Sequence, residues 1–424
     1  ISTSVIIHEN SGKRKCLQAS IGENTSVFGC FCALTPGRML GIIKAELLTL
    51  TFYKKERLRM KDVQGFLRGY LAGYTPYKQY WNYEDGCVLT GCIDLYKATG
   101  DKGYRDFVME YLASRVEADG TVPSFDTTRY SLDAINCSRA LFFALDETGD
   151  ARYRKAIEQH MDRLRSHPRC RCGSFWHKEI YPEQVWLDGL YMAQPFYMAY
   201  ETRFDGLAHV ADVVRQFQNA RALLFDADKG LSYHACDTAK RQSWADAQTG
   251  RSANFWLRAM GWYLMALVDC IELLGPDKLY EHYRMLVDLF RESTRGLLRY
   301  QDAETGLFYQ VIDRSDMSGN YLETSGSAMV AYAVMKAVRL GVLNDEKYLP
   351  LGEKAFRGLV DNKLTADAEG KLHLTDICKA AGLSDERDGS VAYYLSEPRV
   401  SDDSKGVGPF MMACAEYAQA EKNV

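Results

Sequence analysis

From residue 60 onward, apolar positions recur at helical spacing in about twelve segments, near 62–74, 84–98, 102–117, 131–148, 151–166, 185–202, 206–224, 254–274, 277–298, 322–341, 345–362 and 405–422. Their connections alternate in length. Short turns such as KATGDKGY (97–104) and DETGDARY (146–153) place a Gly at the end of one helix and an Asp at the start of the next. The other connections are long (75–83, 118–130, 167–184, 225–253, 299–321 and 363–404), and GLSYHA and GLFYQVID within them have the alternation of short hairpins. Helices that follow a long loop are poor in charge and rich in small residues (GCVLTGC, SGSAMVAYAVM, GPFMMACA), whereas those that precede one, such as RYRKAIEQHMDRLR, are strongly charged on one side. This pattern predicts an all-α (α/α)6 barrel of six helical hairpins, with an uncharged inner ring, a charged outer ring and every long loop on one face. An open solenoid is the alternative, but it does not require this alternation around a common centre.

Residues 1–59 show little sustained periodicity and are expected to be an N-terminal extension to a barrel domain at 60–424. Met60 opens the amphipathic segment KDVQGFLRGYLAGY and is one expected natural start, with the preceding residues a translated leader. These residues lack the basic start, apolar core and cleavage site of a signal peptide.

Composition narrows the partners. A formal net charge of -4 supplies no basic surface for nucleic acid, and no apolar run approaches a bilayer span. The twelve cysteines lack a disulfide or zinc pattern and read as reduced thiols, so a cytoplasmic protein, a monomer or weak homo-oligomer, is expected. No H-E-x-x-H cluster and no phosphate-cradling glycine loop occurs, so neither a catalytic metal nor a cofactor is expected.

The candidate chemistry lies where the long loops meet the inner helices. In YPEQVWLDGLYMAQPFYMAY (181–200), Asp188 is an acid at the head of an almost uncharged run, a costly placement without a partner or a task. Asp133 occupies the equivalent place one repeat earlier, in YSLD. Each alone has the residue type of a helix N-cap; the pair, beside aromatics, has the equipment for general acid/base work on a glycoside. Mutual repulsion is expected to keep one of the two protonated near neutral pH. Tyr83, Trp186, Trp256 and Trp262 offer rings for a sugar, Arg258 a guanidinium for a carboxylate, and His177 and His234 lie in the loops before Asp188 and Arg258. The expected ligand is a small acidic oligosaccharide.

FWHKEIYPEQVWLDGLYMAQPF (175–196), YSLDAINCSRALFFALDETGDARYRKAI (130–157), NFWLRAMGWYLMALVD (254–269) and ETSGSAMVAYAVMKAVRLGVL (323–343) together resemble glycoside hydrolase family 105, the unsaturated rhamnogalacturonyl hydrolases, close to family 88. The resemblance spans residues 62–422, with Leu257 where Gly is often expected, a change to the pocket wall. It implies an (α/α)6 barrel without a metal, acting on the C4=C5 double bond of a non-reducing-end uronic acid. It further implies that Asp188 is the general acid that protonates C4 and helps water add at C5. Asp133 is then the second acid, while His177, His234, Trp186, Trp256, Arg258 and Trp262 are pocket residues, with Arg258 or His234 on the uronate carboxylate and the tryptophans stacking. Alternatives are an unsaturated glucuronyl hydrolase and, in a different class, a sugar 2-epimerase, which relies on paired histidines.

Overall fold

The computed structural model of the protein describes residues 3–10, 14–21, 26–31 and 60–422. The chain separates into two compact units, Ile1–Gln64 and Gly65–Val424. In the first, the backbone forms an antiparallel sheet of Thr3–Asn10, Arg14–Ile21 and Ser26–Phe31 in chain order. Sequence periodicity marks no element there. Residues 32–59, about half of the expected extension, lie outside the described residues.

The second unit is built from helices. They are α1 (65–72 within this unit), α2 (Tyr83–Thr99), α3 (Lys102–Ala113), α4 (Leu132–Asn136), α5 (Arg139–Thr148), α6 (Ala151–Arg165) and α7 (Leu187–Arg203). They continue with α8 (Val210–Leu224), α9 (Leu257–Leu274), α10 (Tyr280–Leu297), α11 (Thr324–Arg339), α12 (Asp345–Asn362), the short α13 (Val391–Ser396) and α14 (Ser404–Lys422). Helices α2, α4–α5, α7, α9, α11 and α14 each pack on the next, and α14 returns to pack on α2. The ring is closed, and α3, α6, α8, α10 and α12 pack outside their hairpin partners, so the unit is an (α/α)6 barrel. Helix α1 completes the outer layer through Phe66 on Phe410 and a Tyr70–Ser404 hydroxyl contact of 3.1 Å.

Side-chain chemistry explains both layers. Every residue of α9 from Leu257 to Ile271 is buried, as a helix walled in on all sides requires, whereas α10 buries one stripe of residues including Leu286, Phe290 and Leu297. Small residues let the inner helices approach. A Cβ on Gly408 would lie 2.6 Å from the Cβ of Cys87, and one on Gly326 would run into the side chain of Leu257. The short turns use one device twice. Gly100 and Gly149 end α2 and α5 at φ 76° and 66°, and Asp101 and Asp150 accept from backbone N–H groups of the next helix at 3.0 and 2.9 Å.

Two expected helices differ. The segment near 131–148 breaks at Cys137–Ser138, where α2 comes so close that a Cβ on Gly86 would lie 2.8 Å from the Cα of Cys137. The Ser138 hydroxyl there accepts from Trp81 Nε1 at 3.2 Å and meets His160 Nδ1 at 2.6 Å. Helix α8 starts at Val210 rather than near 206, because the chain folds back so that Leu207 N–H donates to Glu201 O. GLSYHA does pair, Leu231–Ser232 with Phe225–Asp226. GLFYQVID makes only isolated bridges, Tyr309 to Leu322 and Val311 to Trp256. Every cysteine of the barrel unit is free, and no helix among the described residues is long and apolar enough to cross a membrane.

Candidate active site

A repeated backbone bond builds the site. The first N–H groups of a helix have no partner within it. Here Leu132, Leu187, Leu257 and Thr324, the first residues of α4, α7, α9 and α11, donate to the carbonyls of His177, His234, Gln310 and Asp376 at 3.0–3.2 Å. Each acceptor belongs to the long loop of the following hairpin. Short ribbons hold it in register, such as Gln184–Trp186 against Ala235–Asp237 and the bridge from Ser131 to Lys178. Each loop therefore delivers its side chains to the head of the preceding inner helix.

The second residue of every inner helix is polar: Glu84, Asp133, Asp188, Arg258, Ser325 and Lys405. Neighbours among them interact. Arg258 Nη1 donates to Ser325 Oγ at 3.1 Å, and Arg258 bears on Asp188, Asp133 on Glu84, and Lys405 on Glu84 electrostatically. Asp133 lies 2.6 Å from Lys178 Nζ and 3.5 Å from His177 Nε2. Asp188 Oδ2 lies 3.2 Å from His234 Nε2, without the alignment of a hydrogen bond, and His234 Nδ1 meets the Tyr394 hydroxyl at 2.9 Å. Thus Asp133, Asp188, His177, His234 and Arg258 share one neighbourhood, and Tyr83 joins them through the charges of Glu84, Asp133 and Arg258.

Electrostatics departs from one expectation. Burial pushes the Asp188 carboxyl up, but His234, His177 and Arg258 together hold it below its ordinary value. Burial likewise pushes Asp133 up, and Lys178, with His177 and Lys78, outweighs it. Repulsion between these two acids is therefore not what sets their protonation, and both are ionised at neutral pH. The raised carboxyl of the ring is Glu84, through burial partly offset by Lys78. Burial also lowers His177 to about 4, so at neutral pH that ring is uncharged, while Arg258 keeps its charge throughout.

Arg258 is 2% exposed, bonded through Nη1 to Ser325 and to the Cys378 carbonyl, and has no carboxylate within ion-pair distance among the described residues. A buried cation without a carboxylate in direct contact is costly, and here Glu323 and Asp403 act on it only at longer range. His177 Nδ1, Asp188 Oδ2 and His234 Nε2 are buried atoms without a hydrogen-bond partner among the described residues.

The aromatic candidates divide. Trp186 lies parallel to His177 and Tyr181 at centroid distances of 5.1 and 5.0 Å, and its Nε1 donates to Gln184. Trp256 and Trp262 are 1% exposed. Trp256 packs with His234, Tyr394 and the Arg258 guanidinium, and Trp262 with Tyr191 and Tyr83. Neither offers in this state the free face that stacking on a sugar requires, which corrects the stacking role expected of them. Leu257 is also no pocket residue: it is fully buried against Gly326 of α11. Sequence reasoning missed Ser325, Lys405, Lys178 and Tyr394. The signal for the first two was a position shared with Glu84, Asp133, Asp188 and Arg258, one residue past each inner-helix start; Lys178 was adjacent to His177; Tyr394 had none, lying in the unpatterned 363–404 segment.

Comparison with known proteins agrees with this architecture. The sequence profile of Glycosyl Hydrolase Family 88 matches residues 61–421. A solved glycoside hydrolase from family 105 of C. acetobutylicum is 40% identical with a TM-score of 0.76, over 80% of this chain and 94% of that one. A protein of Agrobacterium fabrum is 42% identical over 235 residues, 53% of this chain and 97% of the relative. The unsaturated rhamnogalacturonyl hydrolase YesR of Bacillus subtilis is 28% identical over 266 residues, 61% of this chain and 72% of its own length. The chain belongs to the glycoside hydrolases of families 88 and 105.

Proposed function

We propose that the protein removes the 4,5-unsaturated uronic acid from the non-reducing end of lyase-generated disaccharides, with unsaturated galacturonyl-rhamnose the foremost substrate, by hydrating the C4=C5 bond. The observation that carries this reading is Arg258, a buried guanidinium lacking a carboxylate partner among the described residues and acting electrostatically on Asp188. A uronate carboxylate supplies the missing counter-ion in bidentate form. It also offsets one of the charges that depress Asp188, the smallest after those of His234 and His177, so substrate binding shifts the carboxyl toward the protonated state that catalysis needs.

The protonated Asp188 gives its proton to C4, and positive charge develops at C5 and the ring oxygen. The same carboxyl, now ionised, takes a proton from the water whose oxygen bonds to C5. The product is a hemiketal, which opens to release the neighbouring sugar and a keto-uronate. Asp133, held by Lys178, accepts hydrogen bonds from sugar hydroxyls, and His234, oriented by Tyr394, steadies Asp188 between its two protonation states.

Loss of the ultraviolet absorbance of the conjugated enol ether tests the reaction. Wild type is expected to bleach the pectic disaccharide, with Asp188→Asn retaining the fold and losing at least about 1,000-fold in turnover. Bleaching of glucuronyl disaccharides alone moves the specificity. No bleaching of any, with mass-conserving sugar isomerisation instead, supports the epimerase.

A further inference from the structure

At the other end of α7 from Asp188, the turn into α8 gathers Glu201, Asp205 and His209, one ligand atom of each lying within 4.8 Å of the others. Glu201 is thirteen helical steps from Asp188, about 20 Å along the axis. We propose that these three side chains bind one divalent transition-metal ion, zinc foremost, which clips the end of α7 to the start of α8.

Glu201 has no side-chain exposure, and its Oε1 has no hydrogen-bond partner among the described residues while lying 3.4 Å from His209 Nδ1. Its other oxygen accepts from the His209 backbone N–H at 2.6 Å, which fixes the carboxylate plane. His209 Nδ1 is also 3.0 Å from Asp205 Oδ2, and Arg165 Nη2 touches that same oxygen at 3.4 Å. Separations of 3.0 and 3.4 Å match the edges between adjacent ligands around an ion with bonds of about 2.1 Å. One imidazole nitrogen with two carboxylate oxygens suits zinc better than calcium or magnesium, which prefer oxygen alone. His209 is 54% exposed on its side chain, so an ion and its remaining waters have a direct route in. The rival occupant is a proton shared by the two acids: burial raises the Glu201 pKa, and the nearby Asp205 raises it further against the His209 N–H bond that lowers it.

Protein lacking a polyhistidine tag, stripped with EDTA, is titrated with zinc by calorimetry and with cobalt by visible absorbance. One zinc per chain, a rise in thermal midpoint and cobalt d–d bands that zinc abolishes are expected. His209→Gln and Asp205→Asn, both at partly exposed positions, are expected to weaken zinc binding by about 100-fold. Absence of saturable one-to-one binding overturns the proposal in the wild type alone, without reliance on any variant. Unchanged affinity in His209→Gln overturns it equally, and so does a cobalt spectrum in either variant identical to that of the wild type.

Discussion

Arg258 is buried at the head of α9 with no carboxylate within ion-pair distance among the described residues. As the second residue of α9, its position in the chain pattern was readable from NFWLRAMGW, but the reason for its charge was not, because that depends on what fails to pair with it in space. The same holds for Asp133 and Asp188. Helical phase placed them at equivalent helix heads, whereas their ionised state is set by Lys178, His234 and Arg258, which arrive from other segments. Removing Arg258 therefore has a defined sign. It deletes an influence that lowers the Asp188 pKa, so in Arg258→Gln the alkaline limb of kcat/KM, which reports the acid in the free enzyme, is expected to move to higher pH. Loss of the carboxylate partner is expected to raise KM by one to two orders of magnitude, about 1.5–3 kcal/mol. Steady-state kinetics across pH on the unsaturated disaccharide checks both. An unmoved limb with an unchanged KM would remove Arg258 from the uronate site.

At the scale of elements, the twelve-segment periodicity and the alternation of loop lengths were legible because each arises from local rules: a buried face, a glycine C-cap, an aspartate N-cap. The interruption between α4 and α5, and the late start of α8, were not, since each answers to contacts distant in the chain. Leu257 shows how close the inner ring is. Its bulk fits because residue 326 of α11 is Gly, so side chain and gap are one feature divided between two helices. Gly326→Ala is expected to cost about 2 kcal/mol by overpacking, and Leu257→Ala about 3 kcal/mol through its cavity. Combined, they should cost at least about 1 kcal/mol less than their sum, because each relieves the other's defect. A double-mutant cycle by urea denaturation measures the coupling; additive costs would mean that the two positions do not share this space.

For the whole molecule, closure matters more than any single helix. An open stack of hairpins distributes stability between nearest neighbours, so losing a terminal unit leaves distant ones intact. A ring has no terminal unit. Helix α14 fills the place between α11 and α2, with Gly408 against Cys87 and Met411 against Gly91, and its removal bares the buried faces of both neighbours at once. Helix α7 lies across the ring from α14, with α4–α5 and α2 on one side and α9 and α11 on the other. Deleting residues 402–424 should therefore reach α7 from both directions. Amide exchange along Leu187–Arg203 is expected to accelerate roughly 100-fold or more, a loss of about 3 kcal/mol in opening free energy. Disulfide-free aggregation is excluded as the cause by measuring exchange in the monomer peak from gel filtration. If α7 keeps its wild-type protection while only α2 and α11 exchange faster, the hairpins stabilise one another pairwise, and the closed ring contributes geometry to the site without contributing cooperativity to the fold.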